Sequence, residues 1–527
     1  MKKSSSLFLA CCTGILLSFP WVIPGWSWTL FFALVPLMFA EDRANQEQKQ
    51  DQILPGYSYG YLSFLIWNLL STWWISYVSV LGMLLIVGIN SLIMAAVWWL
   101  RHPVTKKMGT ISGYFTLVSF WLTFEFFQHI WALQWPWLTL GNGFANSVKI
   151  IQWYEYTGVL GGSIWILLAN ILIYSAIKST IRKELYAAAK FSGIALFVLL
   201  LPIVISVVSY SGYQEKGSEF GVLVLQPNVD PYTQKFSGIS SGEQVKNLIS
   251  LINESELDSV ELILAPETAL PDVWEDSVFC NQSGFSPIFD FLNRYPQVSI
   301  ITGAITKRKF TEGEFISETV RFSEEDSVFY DVFNSAMLFD STDQIEYCHK
   351  SILVSGVEKM PFQRYITFLR NYLLQLGGTS GSLTEGNPMV FTLNNNPVKI
   401  GSVICFESAF GEHAAELVKK GASLLVVITN DGWWRKSSGV WQHFGYSRLR
   451  AIETRRDIVR SANTGISGFI NQRGDVQEMT EINKRTCIRS TAGSNETLTF
   501  YVRHGDYLGR IALVFSVLVL LFYFNRR

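Results

Sequence analysis

Three strand-like stretches in this chain end on side chains that can act together. Leu262-Ile263-Leu264-Ala265-Pro266-Glu267 ends on a carboxylate and Ile345-Glu346-Tyr347-Cys348-His349-Lys350 on a lysine. The apolar run from Val398 to Ile404 ends on Cys405. A thiol that loses its proton is a strong nucleophile, a carboxylate can take that proton, and an ammonium can steady a developing oxyanion. The set therefore reads as acyl transfer, with Cys405 attacking a carbonyl, Glu267 as general base and Lys350 as oxyanion partner. Taken singly each is weak, since most free cysteines are small buried hydrophobes and a strand-end glutamate or lysine is commonly solvated. A histidine base is the usual alternative, and His349 and His443 are the two placed to compete. A helical pattern from Ala409 to Lys420, closed by Gly421, follows Cys405 at once. That arrangement predicts a helix dipole at the thiol and a lowered pKa.

The elements that must position these groups lie in region 211–506. Strands are expected at Gly221–Gln226, Leu262–Ala265, Val298–Thr302, Ser335–Phe339, Lys399–Ile404, Leu424–Thr429 and Gly468–Asn471. Helices are expected at Ser241–Asn253, Ser286–Arg294, Ala409–Lys420 and Trp441–Glu453. Runs such as Leu424-Leu425-Val426-Val427-Ile428 imply strands covered on both faces, and strands alternating with helices imply an α/β sheet. At such ends of parallel strands sites tend to gather. Thr311–Asp326 is polar and acidic and reads as a surface loop.

The rest of the chain has another texture. Of 527 residues, 49% are hydrophobic and only 16% charged, against about 25% charged in average chains. The net charge of −1 gives no pull towards nucleic acid. Apolar segments near 5–24, 26–40, 58–78, 80–100, 113–133, 156–177, 191–210 and 507–524 mostly approach the roughly 20 residues a spanning helix needs. With eight spans and the N-terminus inside, thirteen Lys and Arg (in 2–3, 43–49, 101–107, 178–190 and 526–527) fall in short inside segments, against Lys149 alone outside. This positive-inside pattern places region 211–506 on the outer side, the periplasm of a two-membrane cell. The pairs Trp73-Trp74, Trp98-Trp99 and Trp135/Trp137 read as an interface belt. Glu125, with His129 one turn on, is an intramembrane carboxylate, by default a functional candidate, with a structural hydrogen bond between helices the equal alternative. The six cysteines show no C-x-x-C spacing, so no metal site is expected. Cys280 and Cys487 lie in the outer region, where pairing is chemically allowed but not established by sequence.

Ala265-Pro266-Glu267, Tyr347–Lys350 and Ile404-Cys405-Phe406-Glu407 resemble, in order and spacing, the Glu-Lys-Cys triad of the nitrilase superfamily. Gln226-Pro227-Asn228, Asn334-Ser335-Ala336 and Thr429-Asn430-Asp431-Gly432-Trp433-Trp434 fit the same pattern. A nitrilase-like domain between a seventh and an eighth span resembles the bacterial apolipoprotein N-acyltransferase family. Trp135–Asn142, Trp441-Gln442-His443-Phe444 and Arg448–Glu453 fit it too. The resemblance implies an integral membrane domain of eight helices joined to an α/β nitrilase-like α-β-β-α sandwich. Its expected bounds are 1–210 for spans one to seven, 211–506 for the periplasmic catalytic domain, and 507–527 for the last span and a cytoplasmic C-terminus. It implies transfer of an acyl chain from a glycerophospholipid, through a Cys405 thioester, to the amino group of a diacylglyceryl-cysteine lipoprotein. A membrane-tethered amidase and a transporter with an inert nitrilase-like domain are the alternatives. By the same resemblance Glu358, Glu407 and Phe406 support the site, no cofactor is needed, and the enzyme is an inner-membrane monomer. The chain departs from the family in three places. Phe406 stands where a tyrosine is common, Val354-Ser355-Gly356-Val357-Glu358 replaces Val-Pro-Phe-Gly-Glu, and Phe236 falls where a tryptophan is usual. Apolar loops at Trp433-Trp434 and Phe362–Leu374 are expected to meet lipid.

Overall fold

The structure is a computed structural model. It describes residues 2–47, 54–230, 241–275, 285–311, 314, 317, 319–324, 327–342, 344–359, 382–394 and 396–525. Cys280, Phe236 and the stretch 362–374 lie outside the described residues, so the suggested Cys280–Cys487 pairing is not on view. The chain forms two compact units, one of Met1–Tyr213 with His504–Arg527 and one of Gln214–Arg503.

The first unit is helical: α1 (Lys2–Val22), α2 (Val35–Glu47), α3 (Leu54–Thr72), α4 (Val80–Trp99), α5 (Arg101–Met108), α6 (Thr110–Ile130), α7 (Tyr154–Ile181) and α8 (Leu185–Gly212), with a C-terminal helix at Tyr507–Asn525. Among the described residues five helical stretches are long and apolar enough to cross a membrane: Ser5–Val22, Val80–Met108, Tyr154–Ile181, Leu185–Gly212 and Tyr507–Asn525. The expected second span, 26–40, is not one helix. A 3-10 turn at Ser27–Phe31 precedes α2, and Asn170 of α7 satisfies the break: its Nδ2 donates to Leu30 O at 2.7 Å and its Oδ1 accepts from Leu34 N at 2.8 Å. Irregular backbone in an apolar unit survives only where such partners exist.

The tryptophans also depart from expectation. Trp74, Trp98 and Trp137 are buried inside the helical unit, with Trp74 against Trp137 at 5.3 Å. Trp98 Nε1 donates to the buried carboxylate of Glu41 at 2.6 Å. They are core rather than an interface belt, although Trp73 is exposed. Glu125 is buried, and its Oε1 accepts from Trp121 Nε1 at 2.9 Å and Leu140 N at 2.8 Å. The carboxylate thus satisfies the backbone of the 3-10 stretch Leu140–Phe144, a structural task. Gly162 of α7 allows that stretch to approach, since a Cβ there would lie 1.9 Å from Tyr154 Oη and 3.0 Å from Gly141 Cα.

The second unit contains two sheets. The strands are β1 (Ser218–Gln226), β2 (Val260–Leu264), β3 (Leu270–Trp274), β4 (Ser299–Lys309), β5 (Arg321–Ser323), β6 (Val328–Phe339), β7 (Glu346–His349), β8 (Val390–Thr392), β9 (Lys399–Ile404), β10 (Leu424–Thr429), β11 (Ile458–Ala462), β12 (Gly468–Ile470), β13 (Val476–Met479) and β14 (Thr486–Ser494). One sheet runs β14-β1-β2-β4-β6-β5, with β3 on β4 and β7 on β6; the other runs β13-β12-β11-β10-β9-β8. β1, β2 and β4 are mutually parallel, as are β9, β10 and β11. The short β5 falls in the segment expected to be only a loop. It forms because Arg321 and Phe322 pair with Tyr330 and Phe329 of β6.

Alternation along the strands builds three layers of packing. Val222, Val224, Leu262 and Leu264 face Ile400, Ile404, Val426 and Ile428 between the sheets. The intervening Leu223, Leu225 and Ile263 pack under α9 (Ser241–Asn253) and α10 (Ser286–Arg294). On the other side Val403, Leu425 and Val427 pack under α11 (Gly411–Lys419) and α12 (Ser438–Thr454). This is an α-β-β-α sandwich, and strands buried on both faces explain the near-continuous apolar runs. Gly303 of β4 lets the turn after β2 lie against the sheet. A Cβ there would sit 2.5 Å from Glu267 Cα and 2.6 Å from Thr268 N. Backbone atoms cannot yield that distance, so Gly303→Ala is expected to cost about 1–3 kcal/mol. Thermal unfolding of the full chain in detergent should show a lower midpoint than wild type, and an unchanged midpoint would contradict the close approach.

Candidate active site

Glu267 lies three residues past β2, held by two ladder-like bonds: Ala265 N to Ile301 O at 2.8 Å and Gly303 N to Pro266 O at 3.0 Å. Lys350 follows β7, which runs antiparallel to β6 and so in the same direction as β2 and β4. Both therefore emerge at the same end of one sheet. Lys350 is 1% exposed. Its Nζ lies 2.9 Å from Glu358 Oε1 and 3.3 Å from Glu267 Oε1. Asn334 of β6 sits between the two carboxylates and donates its Nδ2 to both, at 2.7 Å to Glu267 Oε1 and 3.0 Å to Glu358 Oε1. Glu358 Oε2 also accepts from Val354 N at 2.8 Å. Burial draws the Lys350 ammonium down, but Glu358 and Glu267 beside it outweigh that and hold it above the usual lysine value.

Cys405 follows β9 on the facing sheet and is half-buried. Its φ of +52° is a left-handed backbone state, which costs a non-glycine residue about 1–3 kcal/mol and clusters at functional sites. The helix expected from Ala409 to Lys420 forms as α11, but a separate 3-10 turn at Cys405–Ala409 stands between it and the thiol. The predicted lowering of the thiol does not occur. Burial pushes the Cys405 thiol up, the Glu267 carboxylate pushes it further, and Lys350 only partly opposes them. The resting group is a protonated thiol that needs a base.

Glu407 does not join this cluster. It is buried and clasps the two strand ends: its Oε1 accepts from Ser351 N at 2.7 Å, Ser351 Oγ at 2.9 Å and Ile352 N at 3.1 Å, while its Oε2 accepts from Ile404 N at 2.8 Å. His413 Nε2 is 3.3 Å away. Burial raises its pKa, but His413 and these donors prevail and bring it from 4.5 to about 2. Phe406 is buried with its ring edge-on to Phe410 at 5.2 Å. His349 Nδ1 lies 2.8 Å from Ser335 Oγ, and burial lowers its pKa to about 4. His443 points at the Cys405 backbone, with Nε2 3.0 Å from Cys405 O. Neither histidine competes with Glu267. In the sequence Asn334 stands out only as part of the stretch Asn334-Ser335-Ala336, and its place on β6, within hydrogen-bond reach of Glu267, is what singles it out.

Two facing sheets with this nucleophile turn define an α/β unit of the carbon-nitrogen hydrolase type, and the family model described as Carbon-nitrogen hydrolase matches residues 240–493. A second, described as Apolipoprotein N-acyltransferase N-terminal domain, matches residues 13–172. The chain is 27% identical to the apolipoprotein N-acyltransferase of Chlorobaculum tepidum over 97% of this chain and 95% of that one. It is 27% identical to that of Geobacter metallireducens over 98% and 95%, and 26% identical to that of Thermotoga maritima over 97% and 92%. The chain belongs to the apolipoprotein N-acyltransferase family, and it is an enzyme.

The Glu407 clasp carries a pH dependence. Because its folded-state pKa lies below the unfolded value, its stabilisation is present above about pH 4.5 and is lost as pH falls towards 2. The drop from 4.5 to about 2 corresponds to roughly 3 kcal/mol. The midpoint advantage of wild type over Glu407→Gln in thermal unfolding should therefore be full at pH 6 and shrink steadily between pH 5 and pH 3. A difference that stays constant over this range would exclude the ionised clasp.

Proposed function

We propose that the enzyme moves an acyl chain from a glycerophospholipid to the free α-amino group of a diacylglyceryl-cysteine at a lipoprotein N-terminus. Glu267 takes the Cys405 proton as the thiolate attacks the ester carbonyl. Lys350 steadies the oxyanion in a site shielded from water. Collapse releases the lysophospholipid alkoxide, which receives the proton from Glu267, and leaves a thioester on Cys405. The lipoprotein amine then attacks the thioester. Glu267 accepts the amine proton, and the thiol is regenerated. Glu358 keeps Lys350 charged and placed, and Glu407 holds the strand ends in register.

The observation that carries this reading is the buried Lys350 shared by Glu267 and Glu358 at the strand ends, with Cys405 under the electrostatic influence of both Lys350 and Glu267. The charge distribution supports eight spans, an inner-membrane location and a periplasmic catalytic unit bounded near 211 and 506. The 3-10 turn at Ser27–Phe31 with α2, together with α3 and α6, then supplies the spans beyond the five helices long and apolar enough to cross alone. A monomer suffices, because all groups of the site come from one chain. A tethered amidase or a transporter is not favoured, since the resemblance to named acyltransferases runs through both units.

The test is direct. Purified wild type with phospholipid and a diacylated lipopeptide should give a triacylated product by mass, and Cys405→Ala should give none. Glu267→Gln should slow the reaction by about a hundredfold or more, as expected for loss of a general base. Product from the alanine variant would overturn the thioester route.

A further inference from the structure

The second unit holds a buried polar group that the proposed reaction does not use. His443 of α12 and Asp431, just past β10, are both buried, 0% and 1% exposed. His443 Nδ1 lies 2.8 Å from Asp431 Oδ1. Asp431 is fixed in turn by Arg460 Nη2, which donates to Oδ2 at 2.8 Å, and by Thr429 Oγ1, which donates to Oδ1 at 2.9 Å. Arg460 is also buried, on the neighbouring β11, and lies 3.0 Å from His443 Nδ1. The other face of the imidazole turns towards the nucleophile. His443 Nε2 is 3.0 Å from Cys405 O and 2.8 Å from Ser408 Oγ, and Ser408 Oγ donates to Cys405 O at 2.8 Å. A carbonyl oxygen only accepts, so the bond to Cys405 O is made by the tautomer with its proton on Nε2, in which Nδ1 takes the Arg460 Nη2–H and Asp431 acts by anchoring Arg460.

The Cys405 peptide therefore has two donors on its carbonyl, and this is the residue whose φ lies in the left-handed region. A peptide in that state swings its side chain to one side of the chain and its carbonyl to the other. Pinning the carbonyl thus aims the thiol. We propose that His443, backed by Asp431 and Arg460, is a positioning residue for the nucleophile: its Nε2–H locks the Cys405 carbonyl and so points Sγ at the Glu267–Lys350 end of the facing sheet. It moves no proton in the reaction. The inference rests on Cys405 being the residue that takes the acyl chain.

Single-turnover thioester formation separates aim from folding. The full-length enzyme is mixed with excess phospholipid, quenched in acid and read by intact mass. The amplitude reports the folded fraction, and the rate constant reports the geometry. His443→Leu removes the donor and should lower the rate constant roughly tenfold to a hundredfold, the scale of misplacing a reacting group. His443→Gln carries an amide nitrogen at the reach of Nε2 and should restore most of the rate constant. His443→Asn, whose nitrogen stands in for Nδ1 and stops short of Cys405 O, should stay slow even if the leucine variant fails to fold. A slow asparagine variant beside a rescued glutamine variant supports the proposal. A rate constant unchanged in the leucine or asparagine variant, with only amplitude lost, overturns it, as does a glutamine variant no faster than asparagine. Wild type that forms no thioester, with Cys405→Ala as the blank, would instead sink the thioester reading itself.

Discussion

A buried ammonium is the constraint from which the rest of the site follows. Lys350 has almost no contact with solvent, and an unpaired charge in such surroundings is prohibitively costly. Two carboxylates answer it, and Asn334 donates to both and so spaces them. One ammonium and two carboxylates leave one negative charge in the cluster. Burial above all, with the Glu267 carboxylate adding to it, is why the thiol keeps its proton. The surplus charge makes the first step electrically cheap. When the thiol proton passes to Glu267, one negative charge moves from oxygen to sulfur and none is created. The desolvation penalty that opposes ionising a buried group is therefore met once, on folding, and not at each turnover.

The same arrangement makes the sandwich a requirement of the site. Glu267, Lys350 and Asn334 belong to one sheet, and Cys405 to the other. Their mutual distance is set by the apolar layer between the sheets, where Val224 and Leu264 meet Ile404 and Val426. Such interiors are close-packed and transmit small displacements. Glu407 adds a polar tie across the same gap, from the turn after Cys405 to the backbone directly after Lys350. Core and clasp together keep the nucleophile and its ammonium in register.

Much of this was legible in the residues. Leu424–Thr429 and Lys399–Ile404 fall where the β-branched runs put them, because a strand covered on both faces leaves an unbroken apolar signature. Strand ends bearing Glu267, Lys350 and Cys405 were legible as candidates, and Glu267 and Lys350 do meet at one end of a sheet. What escaped was decided by partners distant in sequence. The break in the stretch 26–40 depends on Asn170, well over a hundred residues away. The burial of Trp74 depends on Trp137. The thiol was expected to be lowered by a helix dipole, but local spacing cannot reveal that the first turn is 3-10 or that Glu267 lies across the sheets. The imidazole of His443 could be read as a rival base only because nothing in the sequence says which way it turns.

A raised thiol also changes how reactivity is controlled. A cysteine with a lowered pKa is a standing thiolate, open to oxidants and to any passing electrophile. Cys405 is the opposite, protonated at rest and half-buried. Its thiolate gains stability only when Glu267 holds the proton and Lys350 is free to face the charge. Both conditions are best met when an ester carbonyl is in place, because the ammonium then serves sulfur and oxyanion in turn. The nucleophile is thus made by the encounter rather than stored. With the two acylated substrates proposed above, that rule selects for correct seating before chemistry begins, which is how binding energy becomes rate.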